Sequence, residues 1–414
     1  MTVPADRHDI AFILELAKLL HAHGYPAHRL EAVLAGAARR LGVEAQFFST
    51  PTSLFIAFGP QDDQRTHLIR VSPGATNLGM ISGLDAVARA VARGTLDARD
   101  GLARMEALVV QPSHASARLR TAAFVAVAVG LAALLDGGAV DLVVAGLCGL
   151  VTGLLALASE RFAPLGPVLE PMAAFCVSTV SLSAAVMTGS SHEYITTLTG
   201  LVVLLPGLML TLGLTEMSSG HLQSGTSRLA GALVVFFGMA FGIALGYKVA
   251  SWVAVPGLLL IHNPPLPDWI QWIAPVVAPA CFVILLRATR RDAWSVIIAG
   301  VGAWFAARAG GVLLGTELGG FLGALAVSAG SNWYARRAGR SSLVTTIPGL
   351  LMLVPGSVGF QSITSLLGQD AVAGVETAFR VALVGISLAA GLLLGNAIVP
   401  PADDPDVGGA PVPA

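Results

Sequence analysis

The densest run of reactive side chains is Thr215-Glu216-Met217-Ser218-Ser219-Gly220-His221-Leu222-Gln223-Ser224-Gly225-Thr226-Ser227-Arg228. It sets a carboxylate, an imidazole and a guanidinium among Ser and Thr hydroxyls. Glu216 and Arg228, with Ser224 beside them, could grip a small molecule carrying both charges, because carboxylate–guanidinium recognition is directional and charge-assisted. The same residues would also make an ordinary solvated loop. A second carboxylate, Glu170 of Glu170-Pro171, opens an apolar stretch. There it is either a proton-binding group kept despite its cost in hydrocarbon, or a cap on a helix that begins at Pro171. Three Pro-Gly pairs, Pro206-Gly207, Pro348-Gly349 and Pro355-Gly356, lie inside apolar runs, with Ser357 and Gln361 beside the last. Proline removes an amide donor and crowds the preceding turn, so such pairs predict helix breaks whose freed backbone groups can hold a ligand.

These groups need a scaffold, and the composition says which kind. The chain has 414 residues, of which 55% are hydrophobic and only 12% charged, with mean hydropathy +0.75. That is about half the charge of an ordinary soluble domain. A net charge of −1 gives no basic face for nucleic acid. From Leu119 to Val399 the chain reads as ten apolar spans, near 119–135, 139–158, 166–188, 195–214, 228–247, 269–286, 293–307, 312–333, 343–367 and 375–399. About 20 residues cross a hydrocarbon core, so the lipid bilayer is the expected partner. Cys148, Cys176 and Cys281 fall inside these runs without ligand-like spacing and read as buried small hydrophobes. No metal or cofactor signature is present, and neither is a GxSxG elbow or a phosphate-binding loop.

Residues 1–110 hold 22 of the 49 charged residues, a higher density than the rest of the chain, and predict a small α/β domain of order ααβββαα. The helices are expected at Ile10–His23, Ala27–Leu41, Leu78–Ala92 and Ala98–Val109, and the strands at Glu44–Thr50, Ser53–Gly59 and Thr66–Val71. Residues 111–118 then form a linker. The opening MTVPADRHDIAFILELAKLL lacks a basic n-region and a cleavage site, which predicts that the N-terminus stays in the cytoplasm. With that orientation the cytoplasmic joints hold ten Arg residues and the opposite joints only Lys248 and Arg308. The positive-inside rule then places a disordered tail, 401–414, in the cytoplasm too.

The broken runs are the fourth in each set of five, which divides the membrane part into 119–250 and 251–400. Five is odd, so two such halves insert with opposite orientation. The fold expected is thus an α-helical polytopic membrane protein, with about 10 transmembrane helices as a 5+5 inverted repeat behind a small cytoplasmic α/β domain. Inverted repeats with breaks at matching positions are a recurring transporter design.

Motifs along nearly the whole chain resemble the threonine/serine exporter family in its fused form. They include His23-Gly24-Tyr25-Pro26-Ala27-His28-Arg29-Leu30-Glu31, Thr50-Pro51-Thr52-Ser53-Leu54-Phe55, Arg70-Val71 and Asn77-Leu78. In the membrane part they are Pro206-Gly207, Glu216, Ser224-Gly225, Arg228-Leu229, Pro348-Gly349-Leu350, Leu353-Val354-Pro355-Gly356-Ser357-Val358-Gly359-Phe360 and Asn396. The resemblance implies export of small polar amino acids, threonine and serine, driven by an ion gradient across the inner (cytoplasmic) membrane. Protons would couple through Glu170, and access would alternate around the fourth and ninth spans. Small dicarboxylates are the alternative substrate, and homo-oligomers are open. Arg29, Glu31, Ser53, Arg70 and Asn77 are the polar positions of the N-terminal motifs. They leave a membrane-bound hydrolase as a further alternative, with pairing inside that domain, Arg29 among the neighbours of Glu31, as the plainer account.

Overall fold

The computed structural model describes residues 7–72, 74–111, 115–259, 261–315, 317–367 and 371–401; most of the expected tail and the centre of the expected linker lie outside them. The N-terminal elements follow the expected order. They are α1 (Arg7–Ala22), α2 (Ala27–Arg40), β1 (Ala45–Thr50), β2 (Ser53–Phe58), β3 (Arg65–Arg70), α3 (Leu78–Ala92) and α4 (Ala98–Val110). Gly24, at φ +86°, turns the chain between α1 and α2, a conformation that a side chain would strain. The strands pair antiparallel in the order β1-β2-β3, with Thr50 opposite Ser53 and Ser53 opposite Arg70. Leu54, Ile56 and Phe58 alternate inward from β2 onto Phe12, Leu16, Leu30 and Leu34. Asn77 caps α3 by accepting the Met80 amide, and Asp97 caps α4 through the Asp100 amide.

Apolar helices follow: α5 (Ala117–Leu134), α6 (Ala139–Arg161), α7 (Leu169–Thr188), α8 (Glu193–Leu201), α9 (Gly207–Ser218), α10 (Leu222–Val253), α11 (Ala274–Leu285), α12 (Ala293–Leu314), α13 (Gly319–Ala338), α14 (Leu343–Leu351), α15 (Gly356–Leu367) and α16 (Ala371–Ile398). Among the described residues eight segments are long and apolar enough to cross a membrane, nine if α8 and α9, bent by 55°, count as one. Helix α13, at the expected eighth span, is 20 residues long but is not among them, because its Gly, Ser, Asn and Arg residues lower its hydropathy. The chain is thus a multi-pass membrane protein. Along α10, Leu233, Val234, Phe237, Phe241 and Leu245 stay exposed, the face that hydrocarbon covers.

Two expectations need correction. The polar stretch after the fourth span is not a long loop: α9 runs through Glu216 to Ser218, α10 starts at Leu222, and only Ser219-Gly220-His221 joins them. Ser224 and Arg228 are polar because they face Glu216, not because they face water. Pro348-Gly349 does not break its helix: Pro348 lies within α14, and Gly349 instead admits Val327, to which an added Cβ would come within 2.8 Å. The interruption falls at 352–355, just before Gly356.

The N-terminal elements are not packed apart from the bundle. Their core of Phe12, Leu16, Leu30, Leu78 and Leu84 is continuous with Val296 of α12 and with Leu343, Val344 and Ile347 of α14. Backbone bonds reinforce the joint, the Leu78 amide donating to Leu286 O and the Gly79 amide to Arg287 O.

Candidate functional site

Glu216 is fully buried and is the point where three elements meet. Its Oε2 accepts from Ser224 Oγ at 2.7 Å and from Arg228 Nε at 2.8 Å; its Oε1 accepts the Ala27 amide, at the start of α2, at 3.0 Å. Helix α9 carries the carboxylate, α10 the hydroxyl and guanidinium, and the N-terminus of α2 supplies both an amide and the favourable end of a helix dipole. Three donors from two other helices already hold this fully buried carboxylate. Glu216 with Arg228 therefore works as a joint between the N-terminal elements and the bundle.

Arg29, two residues beyond Ala27, extends the joint. Its guanidinium donates to Ser342 Oγ, to Asn396 Oδ1 at 3.3 Å and to Asn332 Oδ1 at 3.5 Å. Asn332 Nδ2 also donates to Asn396 Oδ1 and to Val399 O, both at 2.8 Å, and Ser328 Oγ donates to Asn396 Oδ1 at 2.9 Å. Arg29 therefore does not pair within its own domain but reaches α13, the start of α14 and the end of α16. Asn332 and Asn396, dismissible from sequence as helix-end caps, are the acceptors that receive it.

Around this joint stand three imidazoles. His221 Nε2 lies 3.3 Å from Glu31 Oε2, whose other oxygen accepts the Ser49 amide at 2.8 Å. The His28 and His221 rings lie 6.1 Å apart. Burial, and then the neighbouring Arg29, push the His28 imidazole down to about 3, while burial followed by Arg228 lowers His21. Burial raises Glu31 above the usual carboxylate range, against the Ser49 amide and His221.

The broken spans meet deeper in the bundle. A Cβ on Gly207 would lie 2.8 Å from Val354 and 3.3 Å from the Gly356 amide; one on Gly356 would lie 3.3 Å from Leu205. Pro206-Gly207 and Pro355-Gly356 thus face each other at van der Waals range. Beside them is a mainly apolar cavity of about 540 Å³, whose wall includes Val202, Leu205, Val354, Gly356 and Ser357. Its polar end carries Glu160, which accepts from Arg120 and, at 2.9 Å, from Arg287. This trio had no motif to announce it: Arg120 and Arg287 read as positive-inside joints, and Glu160 as the polar end of a span.

Contacts recur through the bundle at a spacing of 149 or 150 residues. Ser178 Oγ donates to Ile243 O, and Ser328 Oγ to Leu392 O. A Cβ on Gly242 would meet Pro171 O and Ala174, and one on Gly391 would meet Phe321 O and Ala324. Thr196-Thr197-Leu198-Thr199-Gly200-Leu201-Val202-Val203-Leu204-Leu205-Pro206-Gly207 matches Thr345-Thr346-Ile347-Pro348-Gly349-Leu350-Leu351-Met352-Leu353-Val354-Pro355-Gly356. The partner of Pro206-Gly207 is therefore Pro355-Gly356, and Gly349 is the partner of Gly200. Buried carboxylates also recur, at opposite ends of the bundle. Asp141 accepts from the Gly138 and His192 amides, His192 Nδ1, Ser191 Oγ and Asn263 Nδ2, whereas Asp292 accepts from Thr289 Oγ1 and lies 3.5 Å from Arg340.

The remaining expected residues are dispersed. Glu170 occupies the first turn of α7, partly exposed, where a carboxylate meets the positive helix end. Ser53 Oγ lies 2.8 Å from Thr50 Oγ1 in the β1–β2 turn, Arg70 ends β3 in solvent, and Gln361 is exposed on α15. No group of three or more His, Cys, Asp or Glu side chains is placed to hold a metal among the described residues.

A threonine/serine exporter family model matches residues 11–250, and a second, described as Threonine/Serine exporter, ThrE, matches residues 271–398. The chain is similar to pheromone-regulated membrane protein 10 of Kluyveromyces lactis, at 28% identity over 58% of this chain and 26% of that protein. It is also similar to the protein of that name from Debaryomyces hansenii, at 24% identity over 90% of this chain and 37% of the relative. The chain therefore spans about a quarter to a third of the length of these curated relatives. No solved structure matches it. The two family matches cover both the joint at Glu216 and the facing Pro-Gly breaks, and the chain belongs to the threonine/serine exporter family.

Proposed function

We propose that this chain is a secondary exporter of threonine and serine that works by alternating access around its fourth and ninth spans, in exchange for protons. The observation that carries this reading is the meeting of Pro206-Gly207 with Pro355-Gly356 at the wall of the 540 Å³ cavity. Residues 119–250 and 251–400 act as two five-span halves of opposite orientation, as the recurring Ser–carbonyl and Gly–helix contacts suggest. Such halves rock about the point where their broken helices touch. Arg120 and Arg287 offer cations to a substrate carboxylate and Glu160 an anion to its ammonium, each in exchange for an existing pair bond. Residues 1–110 serve as a domain on the cytoplasmic side, with Glu216, Ser224, Arg228 and Arg29 as the gate that ties it to both halves. Ser357 and Gln361 follow the second break, on α15. The ten arginines on that side fit the inner membrane with both termini inside. Proton coupling falls to Glu170 or to Glu160, which lines the cavity.

Proteoliposome uptake of labelled threonine, serine and succinate, with and without an imposed pH gradient, tests the reading. Gradient-driven threonine or serine flux supports it, and no gradient-dependent flux of any substrate refutes it. Glu170→Gln and Glu160→Gln separate the coupling residues, since the true one loses gradient-driven flux and keeps counterflow. Small dicarboxylates are the second reading, favoured by two guanidiniums against one carboxylate at the polar end of the cavity; succinate flux alone would select it.

A further inference from the structure

A separate cavity of about 410 Å³ lies between α3 and the end of α13. Four guanidinium side chains line it: Arg89 in the last turn of α3 and Arg93 at its C-cap, and Arg336 in the last turn of α13 and Arg340 just past its C-cap Gly339. The one lining carboxylate, Asp85, accepts from Tyr25 Oη at 2.9 Å. Asp292 lies 3.5 Å from Arg340, and Arg89 donates to Gly339 O. Both helices end here, and cations favour helix C-termini, which accounts for arginine on each end by itself. It does not account for two such ends converging on an open space. Arg89 and Arg93 repel at a spacing of four residues, and the guanidiniums that line the same cavity from the end of α13 repel them again. A phosphate group reverses the sign of all these terms, carries up to two charges and matches the bidentate fork of a guanidinium.

We propose that this cavity binds a phosphate-bearing anion, which ties α3 to α13 and so strengthens the joint between the N-terminal elements and the bundle. The volume accommodates a small metabolite. Its place at the end of α13, where Trp333 and Arg337 stack at 5.5 Å, equally suits a lipid phosphate headgroup entering from the interface. The shared chemistry is the phosphate. The inference does not depend on which substrate the bundle carries.

The test uses the full-length chain with two probes: inorganic pyrophosphate, followed by calorimetry in detergent, and cardiolipin, followed by native mass spectrometry after extraction from phosphatidylcholine nanodiscs with and without that lipid. Pyrophosphate binding that weakens about tenfold or more in Arg93→Glu/Arg336→Glu assigns a free anion. Retained cardiolipin, lost in the same variant, assigns a lipid. Arg93→Gln/Arg336→Gln, which removes charge without adding repulsion, should weaken the same probe if the reversed variant unfolds. Arg290→Glu, outside the cavity, serves as the control. Capture of neither probe, or capture indifferent to both variants, overturns the proposal. So does pyrophosphate binding that emerges only after residues 402–414 are deleted. Pro401 lines the cavity, and Asp403, Asp404 and Asp406 follow it, so that result would make the chain's own acidic tail the occupant.

Discussion

The backbone amide of Ala27 donates to the carboxylate of Glu216, 189 residues away, on the side opposite to the oxygen that Arg228 holds. One buried anion therefore answers to a helix of the N-terminal elements and to two helices of the bundle. Removing Arg228 leaves a buried charge that an amide cannot neutralise, and removing the amide leaves the ion pair one donor short.

Arg228→Ala is expected to be the costlier single change, since it strands a fully buried carboxylate; breaking such a pair costs about 3–5 kcal/mol. Glu216→Gln keeps an acceptor for Ala27 and should cost less. Combining the two should recover part of the loss. Thermal unfolding in detergent reads all three, and a double variant no more stable than Arg228→Ala alone would refute the pairing.

Arg29→Lys keeps the charge but not the fork that reaches Ser342, Asn332 and Asn396 together. Protease cleavage within residues 1–110 should speed up, and Asn396→Asp should partly rescue Arg29→Lys by offering a carboxylate to the ammonium. Unchanged proteolysis in Arg29→Lys would remove the guanidinium from the joint.

The N-terminal elements were legible almost residue by residue because Gly24, Gly42 and Asn77 punctuate them and β2 alternates cleanly. The joint was not. Glu216, Ser224 and Arg228 carry the composition of a loop, and hydropathy cannot tell a polar residue facing water from one facing a buried partner. Arg29 was visible as a motif position, but its acceptors lie 303 to 367 residues away, beyond any local pattern. Of the two Pro-Gly pairs expected to break the ninth span only Pro355-Gly356 does, because proline inside α14 is tolerated at Pro348. Aligning both halves over the twelve residues from Thr196 and Thr345 would have found the right one.

Helix contact through glycine should be steep and local. A Cβ on Gly246 would sit 2.1 Å from Ser178 Oγ and 2.5 Å from Phe175 O; one on Gly395 would sit 2.6 Å from Ser328 Cβ. Gly246→Ala and Gly395→Ala should each destabilise by about 1–3 kcal/mol through overpacking, Gly246→Ala by more. Gly302→Ala, with open space around it, should be neutral or stabilising by up to about 1 kcal/mol. Melting temperatures in one detergent rank the three.

Acid should loosen the joint. His28 titrates near 6.5 when unfolded and at about 3 when folded, so the unfolded chain binds the extra proton between those values and stability falls with pH across that window. Each unit below 6.5 costs up to about 1.4 kcal/mol for one such group, with His21 adding in the same direction. Glu31, raised by burial, works oppositely: it gains stability as pH falls from its raised value towards 4.5, offsets part of the loss over that range and keeps the offset below it. Unfolding followed from neutral pH towards 4.5 should slope downward, and His28→Gln should flatten the slope; an unchanged slope would contradict the burial of that imidazole.

The core that joins Phe12 and Leu30 to Val344 and Ile347 also sets an order of assembly. Residues 12–30 leave the ribosome long before their partners at 332–347, and Asn396 later still. At about 5–20 residues per second, the gap from Arg29 to Asn396 is roughly 20–70 s. During that interval the nascent N-terminal elements expose the apolar patch that α14 later covers. A chain truncated before residue 343 should therefore depend on chaperones in a way the chain through Asn396 does not, and synthesis of residues 332–396 becomes the step that closes the joint.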